Sequence, residues 1–370
     1  MRKILILMGR YLPGYKDGGP LRTIVNVTEA LGDEYEFYIA ALDRDHGDAT
    51  PYLNIIYDEW NNVGKAKVWY VRPGEFSFGL IKGLAASMDV VYTCGFFDDY
   101  GYKALLLHRF GLLGKPLNVA SMGSFSHSAM EQKALKKKVF ILLCKALGLF
   151  RNICWSVTSE LEAEDLKRII SPSARYIVAE DLPRTKVPGI QRDDGEQMRI
   201  VFLSRICRHK GLELAIDAVA KMDRKNIKLT ICGPIQELDY WQHCVSKMEE
   251  MTYKWEYFGD IPSEEVQSVL AQQDVLVLPT KSENYGHVIF EALSVGCIPV
   301  ISDRTPWASV AERGAGYVLP LEQKHFTAAL NALASKTASE RETMALAGVA
   351  LAREKVETTM RETGYRKIFG

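Results

Sequence analysis

Short apolar runs rich in Val, Ile and Leu alternate with helical stretches along the whole chain. That alternation restricts the fold class to α/β, built on parallel sheets. A first series of expected strands runs Lys3 to Met8, Tyr35 to Leu42, Ala66 to Val71, Val90 to Cys94, Leu117 to Ser121 and Trp155 to Thr158. A second runs Arg199 to Leu203, Lys228 to Cys232, Trp255 to Phe258, Val275 to Leu278 and Ile298 to Ile301. Between them Pro183 to Gln197 is rich in Pro, Gly and charge and has no apolar period, as a linker would be. The expectation is two Rossmann-like domains, 1–187 and 195–350, with a helix over about 352–370 packing back on the first. Two such sheets imply a cleft between them, at the carboxyl ends of the strands.

Composition narrows the function classes. With 46 Lys+Arg against 46 Asp+Glu, the chain lacks the basic excess of a general nucleic-acid binder. The seven cysteines are odd in number and share no C-x-x-C spacing, so they read as reduced thiols of a cytoplasmic protein. The start, Met1-Arg-Lys-Ile-Leu-Ile-Leu-Met8, stops at Gly9-Arg10, too short for the apolar region of a signal peptide. It reads as a buried first strand.

The richest segment is Pro279-Thr-Lys-Ser-Glu-Asn-Tyr-Gly-His-Val-Ile-Phe-Glu-Ala-Leu-Ser-Val-Gly-Cys-Ile-Pro-Val-Ile-Ser-Asp303. A strand ends at Pro279, and Gly286 opens a helix that Gly296 ends. Glu283 in the loop and Glu291 inside the helix can address one ligand lying across the helix N-terminus. Gly286 leaves that terminus bare for a phosphate, with Tyr285, His287 and Val288 beside it. A capped helix with a solvated Glu has the same pattern, so the spacing by itself does not choose. A second segment, Phe202-Leu-Ser-Arg-Ile-Cys-Arg-His-Lys-Gly-Leu-Glu213, places Arg205 and Lys210 around the loop after a strand. Arg supplies a fork and Lys a point charge for phosphate oxygens.

Together these segments resemble the donor-site signature of glycosyltransferase family 4, the retaining nucleotide-sugar transferases of GT-B architecture. The likeness extends to Thr305-Pro306-Trp307 and Gly314-Ala-Gly316, and it is weaker over residues 1–190. It implies that Arg205 and Lys210 grip a donor diphosphate, Glu283 holds sugar hydroxyls, and Glu291 holds the ribose. It places the base near Ile261, within Tyr257-Phe-Gly-Asp-Ile-Pro262. In the first half, Gly18-Gly19 matches the family's first loop, where the backbone approaches a phosphate or the acceptor. His127, in Met122-Gly-Ser-Phe-Ser-His127, is a candidate to position the acceptor or touch the transferred sugar.

Asp43-Arg-Asp45 has the form of the metal-binding D-x-D of another transferase fold. Here Arg205, Lys210 and a helix terminus already face the diphosphate, so no metal or other cofactor is expected, and Asp43 and Asp45 read as solvated loop residues. Residues 101–150 carry eight Lys+Arg and one acid, and 133–150 adds a strongly apolar helix to that cluster. This is either a core helix with a solvated basic end or an interfacial helix on anionic lipid. The expected activity is a hexosyltransferase using a UDP- or GDP-linked sugar. Its acceptor is a saccharide, expected to be lipid-linked and part of bacterial surface-polysaccharide assembly at the inner face of the plasma membrane. The alternatives are a sugar-nucleotide 2-epimerase of the same architecture and a catalytically silent nucleotide-sugar binding subunit.

Overall fold

The computed structural model describes residues 1–125, 130, 134–190, 197–223 and 226–370. The chain divides into two compact units, Met1–Leu182 with Thr359–Gly370, and Pro183–Thr358. Each is a parallel sheet with helices on both faces, the α/β architecture expected from the alternation.

In the first unit the strands are β1 (Arg2–Leu7), β2 (Tyr35–Leu42), β3 (Asn61–Val63), β4 (Ala66–Val71), β5 (Val90–Cys94), β6 (Leu117–Ala120), β7 (Cys154–Val157) and β8 (Tyr176–Val178). They lie in the order β3-β4-β2-β1-β5-β6-β7-β8, and only β3 is antiparallel to its neighbour. The period of two along β1 shows why its run is continuously apolar. Leu5 and Leu7 join a core with Val91 and Trp155. Ile4 and Ile6 face the other side, with Ile24, Tyr365 and Phe369. A central strand covered on both faces has no polar side to show. The final helix, Tyr365–Phe369, closes that second face, and Arg2 and Asn118 each donate to its carbonyls at 3.0 Å.

The second unit holds β9 (Met198–Leu203), β10 (Ile227–Cys232), β11 (Lys254–Gly259), β12 (Val275–Leu278), β13 (Ile298–Ser302) and β14 (Tyr317–Leu319). The order β11-β10-β9-β12-β13-β14 is all parallel and reverses direction between β9 and β12. That is the doubly wound order with its switch point beside the first strand, where such sheets bind ligands. Strands β3, β8 and β14 were not expected from the sequence. Each is three residues long and half-buried or edge-lying, too short for a period of two to register. Residues 183–190 are more than a tether. Gly189 N–H donates to the Ser294 carbonyl at 2.9 Å, and Val187 and Ile190 pack on the second core.

Candidate functional site

The loops after β9 and β12 meet at the switch point because a glycine lets them. Gly211, at φ 77°, caps the helix Leu212–Ala220, and a Cβ there would stand 2.2 Å from the Pro279 carbonyl oxygen. No other residue permits that approach. The loops are then zipped together. Lys281 N–H donates to the His209 carbonyl at 2.9 Å, and His209 Nε2 lies 3.0 Å from the Ser282 hydroxyl. This brings Lys210 Nζ to 2.5 Å from Glu283 Oε1. Both side chains are largely withdrawn from solvent, which strengthens their attraction over that of a surface pair.

Glu291 sits within the helix His287–Ser294 and is 3% exposed. Its Oε1 accepts from Arg184 Nε at 3.0 Å. The other end of Arg184 donates to the Ser263 carbonyl and, at 3.0 Å, to its hydroxyl. Thus one guanidinium both neutralises the buried carboxylate and ties it to the segment after β11. Gly286, at φ 79°, opens the helix, and no side chain caps it. A Cβ on Gly286 would meet Ile289 Cδ1 at 2.9 Å and Trp307 Nε1 at 3.3 Å. Trp307 in turn donates to the Tyr285 carbonyl at 2.5 Å. Tyr285 is buried, its ring centroid 4.7 Å from that of His287, and Val288 is half-buried.

Arg205 is exposed, with Nη1 3.3 Å from Gln236 Oε1, and it makes no contact with Lys210 or Glu283. Ile261 is partly buried against the core of this unit. A half-buried His209 beside a cation resists protonation. Burial first, then the Lys210 charge, holds its ring below the ordinary histidine value. The second unit therefore gathers Lys210, Glu283, Gly286 and His209 at one switch point, with the Arg184–Glu291 pair on the adjoining helix.

Sequence reasoning missed Arg184, His209 and Ser263. Arg184 lies in a stretch read as linker. His209 stands inside the quoted segment but carried no spacing signal.

In the first unit Gly18, at φ 67°, precedes the helix Gly19–Leu31, and a Cβ on either Gly18 or Gly19 would meet nothing within 4 Å. The surface there is open. His127 lies outside the described residues. The turn leading to it is held by Glu162, which accepts from the Ser121 hydroxyl at 2.7 Å and from Gly123 N–H at 2.5 Å. Asp43 and Asp45 correct the expectation of solvated loop residues: both are buried. Asp45 accepts from the backbone N–H groups of Tyr15 and His46, each at 2.8 Å, and so shapes the loop after β1. Asp43 accepts from Tyr57 at 2.7 Å and Arg44 at 2.8 Å. Burial would raise its carboxyl, but those two bonds outweigh it and hold the value below the usual range.

Two doubly wound sheets, one in each unit, are the layout of the GT-B fold. Solved structures with this fold cover almost the entire chain. An Anabaena protein, Alr3699/HepE, in complex with UDP and glucose, superposes with TM-score 0.72 at 17% identity, over 98% of each chain. Sucrose-phosphate synthase from Thermosynechococcus elongatus gives 0.75 at 15% identity, over 100% of this chain and 99% of its own. Residues 184–348 match the family described as glycosyl transferases group 1. Among curated relatives, a GDP-mannose:cellobiosyl-diphosphopolyprenol alpha-mannosyltransferase of Xanthomonas oryzae pv. oryzae is 27% identical over 241 residues. That alignment covers 63% of this chain and 61% of the relative, so the chain spans about three fifths of the length of the curated relatives it matches first.

Proposed function

We propose that the chain is a retaining glycosyltransferase of the hexosyltransferase class. It moves a sugar from a UDP- or GDP-linked donor to a lipid-linked saccharide, in surface-polysaccharide assembly at an anionic membrane face. The observation that carries this reading is the Lys210–Glu283 pair at the switch point of the second sheet, beside the uncapped helix His287–Ser294. The match to glycosyl transferases group 1 spans all of these residues. The polyprenol-linked acceptor in the name of the Xanthomonas relative supports the acceptor class.

In this reading Lys210 and Arg205 meet the donor diphosphate. An ammonium has three protons to donate, so Lys210 can hold Glu283 and a phosphate oxygen together. The positive end of the helix dipole faces the same charge as it develops on the leaving group. Glu283, oriented by Lys210, accepts from sugar hydroxyls. Glu291, oriented by Arg184, accepts from the ribose, and the base lies near Ile261. Gly18 and Gly19 leave the first unit's loop open to a phosphate or acceptor. Protein cations supply the charge that faces the diphosphate, so the reading involves no metal, and activity is expected to persist in EDTA.

Calorimetry with UDP and GDP tests the assignment. Lys210→Ala is expected to weaken diphosphate binding by roughly 1.5–3 kcal/mol, the scale of a charge-assisted hydrogen bond. Glu291→Gln should weaken nucleotide binding, whereas Glu283→Gln should spare it and lower turnover. Unchanged affinity in both Arg205→Ala and Lys210→Ala would overturn the reading.

A further inference from the structure

The helix Ala134–Ala146 wears its apolar side outward. Of its side chains only Ile141 and Cys144 are buried. Leu135 is 76% exposed, Leu142 67% and Leu143 56%, with Val139 exposed beside them. At about 100° per residue these four fall on one side of the helix, opposite Ile141 and Cys144. Lys136 borders that face on one edge, and Lys138 and Lys145 border it on the other; all three are exposed. The core-helix alternative therefore fails: this is an amphipathic helix whose outer face is the apolar one.

A cavity of about 400 Å³ opens at the C-terminal end of the same helix, lined by Lys145, Arg151, Trp155 and Arg175 among others. Gly148, at φ 64°, turns the chain there, and a Cβ on it would stand 3.3 Å from Nε of both Arg109 and Arg151. Two guanidinium groups thus converge on one point. None of Arg109, Lys145, Arg151 and Arg175 pairs with a described carboxylate. Arg109 Nε donates to the Leu147 carbonyl at 3.2 Å, tying the end of the preceding helix to the turn after Ala134–Ala146, and Leu147 is itself exposed. Ile153 and Arg175 precede β7 and β8, so the cavity lies at the amino ends of these strands. That is the opposite edge of the sheet from the Gly18-Gly19 loop, and the cavity is no part of the site described above.

We propose that this helix and cavity form a membrane-docking site whose occupant is an anionic phospholipid. The leucine face enters the acyl boundary, the flanking lysines lie at headgroup level, and Arg151, Arg175 and Lys145 hold one headgroup phosphate. Charge chooses the occupant. An apolar face ringed by cations that pair with no described carboxylate suits an anionic lipid surface better than a second copy of itself, which would set like charges against each other. The purpose of docking rests on the proposed lipid-linked acceptor. The site itself is tested without nucleotide or acceptor, so failure of one reading leaves the other standing.

The test is co-sedimentation of the full chain with phosphatidylcholine vesicles with and without phosphatidylglycerol. The chain is expected to partition onto the phosphatidylglycerol vesicles only, and less at high salt. Arg151→Glu with Arg175→Glu should lower partitioning at least about tenfold, since each cation near an anionic surface contributes about fivefold. Leu142→Asp should abolish it. Lys3→Glu with Lys65→Glu, the same charge change elsewhere on this unit, should bind as the parent does, and all variants should melt with the parent. Binding to neither vesicle would overturn the proposal, as would equal loss in the control pair. So would a concentration-dependent dimer that Leu142→Asp dissolves without any vesicle binding, which would give the face to a second copy.

Discussion

In the first unit the buried carboxylates of Asp45 and Glu162 accept from backbone N–H groups and hydroxyls, whereas in the second those of Glu291 and Asp274 meet guanidinium groups. Glu162 shows the first pattern fully. It takes the Ser121 hydroxyl, Gly123 N–H, and both the N–H and hydroxyl of Thr158. Asp274 shows the second. Its two oxygens hold the backbone and guanidinium of Arg199 at 2.7 and 2.9 Å, fastening β12 to β9. A carboxylate that collects backbone donors fixes the path of a loop. One that faces a cation leaves a balanced pair, whose members can exchange partners with a charged ligand. The first unit spends Asp45 and Glu162 on loop shape, with Asp43 the exception that meets the Arg44 guanidinium, and leaves cations exposed on its outer helix. The second keeps its charges in pairs at the switch point.

The largest expected effect tests that contrast directly. Glu162→Ala strands four donors, two of them backbone N–H groups, and should destabilise the first unit by about 3–4 kcal/mol at a cost of about 1–3 kcal/mol for each buried unsatisfied group, partly relieved by water. Arg184→Ala leaves a buried carboxylate without its cation and should destabilise the second unit by roughly 2–3 kcal/mol, at the lower limit for broken buried pairs because Arg184 is partly exposed. Urea unfolding followed separately in the two units measures both. If Arg184→Ala costs nothing while Glu162→Ala does, the carboxylate of the second unit is satisfied without its cation, and the contrast is lost.

The part of this arrangement that was legible in the sequence is the part that is local. The strand runs show the sheets because burial on both faces makes them continuously apolar. Gly286, Glu283 and Lys210 could be picked out because each sits in a short loop between a strand and a helix, where position along the chain translates into position in space. Arg184 could not. It is 107 residues from Glu291, in a stretch without period, and only the fold brings the two together. Asp43 and Asp45 misled for a similar reason. Acids in a loop read as solvated, but Asp45 is covered by backbone groups near residue 15 and Asp43 is held by Tyr57, and no pattern connects either acid to those partners. The exposed face of the helix Ala134–Ala146 was ambiguous because an apolar helix has the same sequence whether it is covered or not.

A smaller effect concerns Asp181, a carboxylate of the first unit. Burial, with the Glu162 and Glu180 charges adding and a Thr23 hydrogen bond opposing, pushes its carboxyl up to about 7. Folded Asp181 thus keeps a proton that the unfolded chain releases from about pH 4 upward, so stability is lost as pH rises through that window toward 7. Asp181→Asn should gain more than about 1 kcal/mol over the parent at pH 8 and almost nothing near pH 4. Thermal melts across the range measure it. An equal gain at both ends would show that packing, not the proton, sets the difference.

The smallest expected effect lies at the switch point itself. His209 is held below the ordinary histidine value of 6.5 first by burial and then by the Lys210 charge, with the Ser282 carbonyl and Glu283 pulling the other way. Its neutral form is the one the fold prefers. The stability this adds is present above the unfolded value and is lost as pH falls from there through the lower folded value. Lys210→Met removes the second cause and leaves Glu283 without its cation, so both changes push the ring upward. Burial remains, so the ring should rise only part of the way back, and the acid-side loss of stability should shrink accordingly. An NMR titration of the ring in the parent and in Lys210→Met measures the step. A ring that does not move would mean that Lys210 and His209 are electrostatically separate despite adjacent positions. The loops after β9 and β12 would then hold the Lys210–Glu283 pair alone, without a third titrating group to sense a ligand's charge.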